Sequence, residues 1–109
     1  MHNSPFITLW EFHVKPESIV AFEEIYGPHG DWAQLFSKSP DYLGTELIRD
    51  RKQHGRYLTL DHWTSREASQ RFKQEHQAAY AELDNQCERL TEREMFLGEF
   101  ESVALRTSP

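Results

Sequence analysis

Cysteine, cationic side chains and long apolar runs are all scarce in this chain, and each scarcity removes a class of protein. The single cysteine of the 109 residues, Cys87, cannot form an internal disulfide, which fits a reducing compartment. Twelve Lys and Arg against eighteen Asp and Glu leave a formal net charge of -6, so the chain repels phosphate backbones and anionic lipid. Nucleic acid and membrane surfaces are therefore not expected as partners. Apolar runs reach only a few residues, and Met1-His2-Asn3-Ser4-Pro5 has neither the charged nor the apolar region of a secretory signal. A cytoplasmic location is expected. His2, His29, His54 and His62 show no metal-ligand spacing. A glycine-rich phosphate loop, a nucleophile elbow and a paired cysteine motif are missing too. Neither a metal nor a tightly held cofactor is expected.

Hydrophobic residues make up 38% of the chain and aromatics 13%, enough for a packed core. The length suits one domain over residues 1–109, with a core from about 6 to 100 and a tail, 102–109, expected to fray. Phe6 to Val14 is aromatic and β-branched and ends at Lys15-Pro16, as a strand would. Ile19, Phe22 and Tyr26 then recur at helical spacing until Gly27-Pro28-His29-Gly30 interrupts. Asp31-Trp32-Ala33-Gln34 has the form of a capping box and starts a second helical piece carrying Leu35 and Phe36. Tyr42 to Asp50 and Arg56 to Trp63 read as a hairpin around His54-Gly55. From the capping pattern Thr64-Ser65-Arg66-Glu67, one stripe runs through Ala68, Phe72, His76, Ala79, Tyr80, Leu83, Cys87 and Leu90. That is long for one helix, and a break is expected near Asp84-Asn85. Met95 to Phe100 is the last strand.

The order βαββαβ is that of a ferredoxin-like α+β domain, an antiparallel sheet with its helices on one face. In the first strand Phe6, Trp10 and Phe12 share one parity while Ile7 and Leu9 share the other, so both faces are apolar. Helices cover one of them. The other most simply meets a second copy, which predicts a homodimer joined through its sheet faces.

Three segments carry a family resemblance: Trp10-Glu11-Phe12-His13-Val14-Lys15-Pro16, Pro40-Asp41-Tyr42-Leu43-Gly44-Thr45-Glu46-Leu47, and Leu60-Asp61-His62-Trp63-Thr64-Ser65-Arg66-Glu67-Ala68. Together they resemble the antibiotic biosynthesis monooxygenase (ABM) domain family of the dimeric α/β-barrel superfamily, over Phe6 to about Phe100. The resemblance implies two facing sheets in a dimeric α/β barrel and a cavity between sheet and helices in each subunit. Members oxidise polyphenols without a cofactor, degrade haem or do related small-molecule chemistry. Strand one lacks the asparagine of the haem-degrading members, having Glu11, Phe12 and His13 there.

His76, on the apolar stripe, is the candidate catalytic base; the competing reading is a hydrogen-bonded core histidine. Trp63, Phe72, Tyr80, Trp32, Phe36 and Tyr26 are the candidate walls for a small aromatic ligand. For Trp63 a plug beneath the second helical region is the competing role, and for Tyr26, Trp32 and Phe36 plain helix packing competes with a mobile lid hinged at Gly27 and Gly30. Glu11, His13, Arg49, Tyr57 and Asp61 could gather as a polar cluster on the sheet or as charge pairs across the dimer. Two functions follow: a cofactor-independent monooxygenase of a small aromatic or polyphenolic compound, and a non-catalytic ligand-binding or dimerisation module. A hollow helix–sheet space favours the first and a filled one the second.

Overall fold

The computed structural model describes residues 5–103. Four strands, β1 (Phe6–Val14), β2 (Tyr42–Arg49), β3 (Arg56–Trp63) and β4 (Thr91–Glu101), form one antiparallel sheet in the order β2-β3-β1-β4. Between β1 and β2 lie a short 3-10 turn, α1 (Ile19–Tyr26) and α2 (Asp31–Phe36); between β3 and β4 lie α3 (Arg66–Glu75) and α4 (Gln77–Cys87). This is the ferredoxin-like arrangement expected from the element order. No helix among the described residues is long and apolar enough to cross a membrane. The expected fray of the tail concerns residues that lie mostly outside those described.

Register decides which side chains face the helices. Thr8 pairs with Asp61, Trp10 with Thr59 and Phe12 with Tyr57, so the even residues of β1 and the odd ones of β3 share a face. Phe6, Phe12, Val14, Tyr57 and Trp63 are buried there beneath the helices. The opposite face carries Ile7, Leu9, Leu58 and Leu60, half-buried, with Ile48, Met95 and Phe100 exposed.

At the α1 end the core is a ring stack. Phe22 lies 4.2 Å from Tyr26, 5.3 Å from Phe12 and 5.1 Å from Tyr57, centroid to centroid. Such tilted and offset pairs add to the gain from burial alone. The Tyr57 hydroxyl donates to Glu23, which Arg49 also reaches at 3.2 Å.

Local chemistry departs from expectation at three places. The helix break falls at His76, not near Asp84-Asn85: His76 has φ -122° and ψ 32°, closing α3 through its N–H on the Phe72 carbonyl and opening α4 through its own carbonyl. Spacing alone hid the break, because the apolar stripe passes through it without losing phase. Asp31 is not a cap; Gly30 holds the N-cap position of α2, and Gln34 donates instead to the His29 carbonyl at 3.0 Å. In the next pattern Ser65, not Thr64, caps α3 by accepting the Ala68 N–H at 3.1 Å, while Thr64 donates to Asp41.

Gly30 is where α1 and α2 meet most tightly. A Cβ added there would lie 2.2 Å from the Glu24 carbonyl oxygen and 2.3 Å from that of Ile25. Backbone cannot yield as a side-chain tip can, so this junction is a packed corner and not a loose hinge. Gly30→Ala should destabilise the domain by about 3 kcal/mol, seen as a lower denaturant midpoint at unchanged slope.

Candidate active site

The space between sheet and helices is partly hollow. A cavity of about 160 Å³ is lined by Trp10 and Phe12 of β1, Tyr26 of α1, Trp32 and Phe36 of α2, Thr45 of β2, Thr59 and Asp61 of β3, Tyr80 and Asp84 of α4, and Glu94 of β4. Trp32 stands edge-on to Tyr80 at 5.0 Å, and 5.7 Å from Phe36. A smaller space of about 20 Å³ adjoins it, between Trp63, Phe72, Ser69 and Lys73, and shares Trp10, Phe36, Asp61 and Tyr80 with the first.

Asp61 joins the two spaces. It is 9% exposed and sits among aromatic rings on the helix-facing side of β3. The Thr45 hydroxyl donates to its Oδ1 at 2.6 Å, and Thr45 is hydrogen-bonded in turn to the Tyr42 hydroxyl at 2.5 Å. Burial pushes the Asp61 carboxyl up to about 6, against the opposing pull of Thr45, Lys73 and Thr8. Burial also raises Tyr42. Tyr80 is pushed up to about 12, first by burial and then by Asp84, Asp61 and Glu94. Glu94 is raised by burial, with Asp84 and Glu88 adding like-charge repulsion. A carboxyl raised by burial thus faces a cavity walled by rings.

Four of the six expected wall residues, Tyr26, Trp32, Phe36 and Tyr80, line the larger cavity. Trp63 and Phe72 line only the smaller one. Trp63 is 2% exposed and wedged between Phe36, Tyr42 and Phe72, with centroids 5.3–5.5 Å away, which is the plug geometry. The His76 ring packs against Phe72 at 4.7 Å, but His76 lines neither space. At the helix break its side chain is half-buried.

The polar cluster imagined for the sheet divides between its two faces. Glu11 meets Arg56 at 2.5 Å and His13 at 3.6 Å on the open face, where Arg56 also reaches Asp50 at 3.0 Å. Arg56 accordingly holds the Glu11 carboxyl below its usual range. Arg49 and Tyr57 meet at Glu23 near α1, and Asp61 stands apart from both groups. Sequence reasoning missed Asp61 as a cavity residue, along with Trp10, Thr45, Asp84 and Glu94. The signal was in β3, where Tyr57, Thr59, Asp61 and Trp63 share one parity and put a lone acid on the aromatic face.

Solved structures with this fold span almost the whole chain. A variant of SnoaB, a cofactor-independent oxygenase from Streptomyces nogalater, is 19% identical, with a TM-score of 0.76 over 94% of this chain and 96% of that one. MhuD, a heme-degrader from Mycobacterium tuberculosis with two hemes bound in its active site, is 24% identical, with a TM-score of 0.68 over 94% of this chain and 99% of that one. No curated protein matches the sequence significantly. Residues 5–83 match the family described as antibiotic biosynthesis monooxygenase, and the chain belongs to that family.

Proposed function

We propose that the protein is a cofactor-independent monooxygenase that oxidises a small aromatic compound in the helix–sheet cavity, with Asp61 as the general base. The observation that carries this reading is the buried Asp61 carboxyl at the wall of a hollow, ring-lined space. A carboxylate there can take a proton from a phenolic hydroxyl or an activated ring methylene, leaving an electron-rich anion able to reduce oxygen. For a methylene the balance is simple. One oxygen atom of O₂ becomes the new carbonyl, and the other leaves as water with both hydrogens. The tryptophan, tyrosine and phenylalanine walls would keep solvent from the anion and stack on the ring.

Size narrows the substrate. A dry cavity of about 150 Å³ in another protein accommodates benzene; the space here, about 160 Å³, suits one aromatic ring, or the reacting ring of a larger molecule whose remainder lies outside. A porphyrin fits this reading poorly, since it is far larger than a space of about 160 Å³. The hollow space itself favours catalysis over a purely structural module.

Oxygen uptake with product analysis, across a panel of hydroquinones and anthrone-like compounds, tests the proposal. Inertness towards the whole panel would overturn it. His76→Gln provides a contrast: activity should be nearly unchanged, and stability should fall by no more than about 1 kcal/mol from the lost ring contact with Phe72. A sharp loss of turnover in that variant would return the catalytic role to His76. The proposal includes a homodimer formed through the open sheet face, supported by its array of half-buried and exposed apolar residues.

A further inference from the structure

The charge on the cavity wall has one sign. Asp61, Asp84 and Glu94 come from three different elements, and no Lys, Arg or His lines the larger space. None of the three takes part in a salt bridge among the described residues. Lys73 belongs to the smaller space, with its Nζ 5.7 Å from the centre of the Tyr80 ring, and pulls on Asp61 from there. The same lining carries Trp10, Phe12, Tyr26, Trp32, Phe36 and Tyr80.

We propose that the ligand of this cavity is an aromatic amine, bound with its ammonium group between the carboxylates and the ring faces. The inference rests on the reading of the cavity as the substrate site and adds to it the chemical class of substrate. Two independent features point the same way. Asp84 and Glu94 repel one another without a salt-bridge partner, and a bound cation relieves that repulsion. Aromatic faces present negative potential, and rings arranged around a pocket are a recurrent means of holding organic ammonium ions. A ligand carboxylate meets the reverse situation, being repelled by three acids with no cation in the larger cavity to receive it. A ring bearing a short aminoalkyl chain meets both the acids and the aromatic faces.

The test uses three probes of similar size and different charge: tyramine, 4-ethylphenol and 3-(4-hydroxyphenyl)propionate. Binding to the full-length protein is followed at pH 8 by quenching of tryptophan fluorescence, since Trp10 and Trp32 line the cavity. Tyramine should bind about tenfold or more tightly than 4-ethylphenol, and the propionate more weakly than either. In the double variant Asp84→Asn, Glu94→Gln the preference for tyramine should largely disappear while 4-ethylphenol binds as before; circular dichroism checks the fold. Equal affinities for the three probes overturn the proposal, as does failure of tyramine to bind or a preference that survives the double variant. Because binding is measured without turnover, the two readings fail separately. Absence of oxygen uptake would overturn the oxygenase reading and leave the binding order standing, whereas oxidation of neutral phenols without an amine preference would overturn the ligand class alone.

Discussion

At pH 8, Asp61→Asn should lower kcat/KM by about 10²–10⁴-fold, the usual contribution of a general base, and should at the same time raise the melting temperature. The pairing of these effects distinguishes a catalytic base from a structural carboxylate. Burial lifts the Asp61 carboxyl from 3.8 to about 6 in the folded protein. The stabilising effect of that raised value is complete below the unfolded value and is lost as pH rises through about 6. Above that pH the folded state carries a buried anion at a cost of roughly 3 kcal/mol. Asparagine keeps the size and can still accept from the Thr45 hydroxyl, but it carries no charge. The melting-temperature advantage of the variant should therefore be largest near pH 8 and close towards pH 4. In the wild type, kcat/KM should climb through about pH 6 and then level off, because the base must be ionised to act. Thermal melts and rate profiles over the same pH range check both parts. Full activity in the variant, or a loss of stability at pH 8, would remove Asp61 from the mechanism.

The candidate site was harder to find in the sequence than the fold was. The fold follows from local patterns that agree with one another. Proline after Val14, alternation in β3 and the helical stripe from Ala68 each specify one element, and their order admits few topologies. The site depends on register. Glu11 and Asp61 both look like polar interruptions of apolar strands, yet Glu11 lies opposite Leu58 and Asp61 opposite Thr8, which places them on different faces of the sheet. One residue of slip would exchange those faces, and no local pattern reports the pairing. His76 falls outside both spaces for a different reason. Helical periodicity gives a direction only while the helix continues, and the backbone leaves helical angles at that residue. Asp84 and Glu94 were invisible as a pair because α4 and β4 bring them to one cavity from separate elements.

The open sheet face supports the second large effect: Leu60→Asp should turn a dimer into a monomer. Leu60 lies on β3 with Leu9 of β1 on one side and Glu46 of β2 on the other, at the middle of the face away from the helices. Leu9, Leu58 and Leu60 are half-buried within one chain, and Ile48, Met95 and Phe100 are exposed beside them. A second sheet laid across this face would bury those side chains and exclude water from its centre. A carboxylate placed there gains no partner in the dimer and regains most of its hydration in the monomer, so most of its cost falls on association and a smaller part on repulsion from the neighbouring Glu46. The dissociation constant should rise by about 100-fold or more, equivalent to about 2.7 kcal/mol. The fold should survive, because Leu60 points away from the core formed by Phe12, Tyr57 and Trp63 beneath the helices. Light scattering across micromolar concentrations measures the mass, and circular dichroism checks the monomer. A wild type that remains monomeric over that range would rule out the homodimer, and a variant that remains dimeric would move the contact to another surface. The polar corner made by Glu11, His13, Arg56 and Asp50 lies on this same face and is already paired within the chain. It can therefore meet a partner without leaving a buried charge unanswered, whereas Leu60→Asp introduces a charge with no such partner.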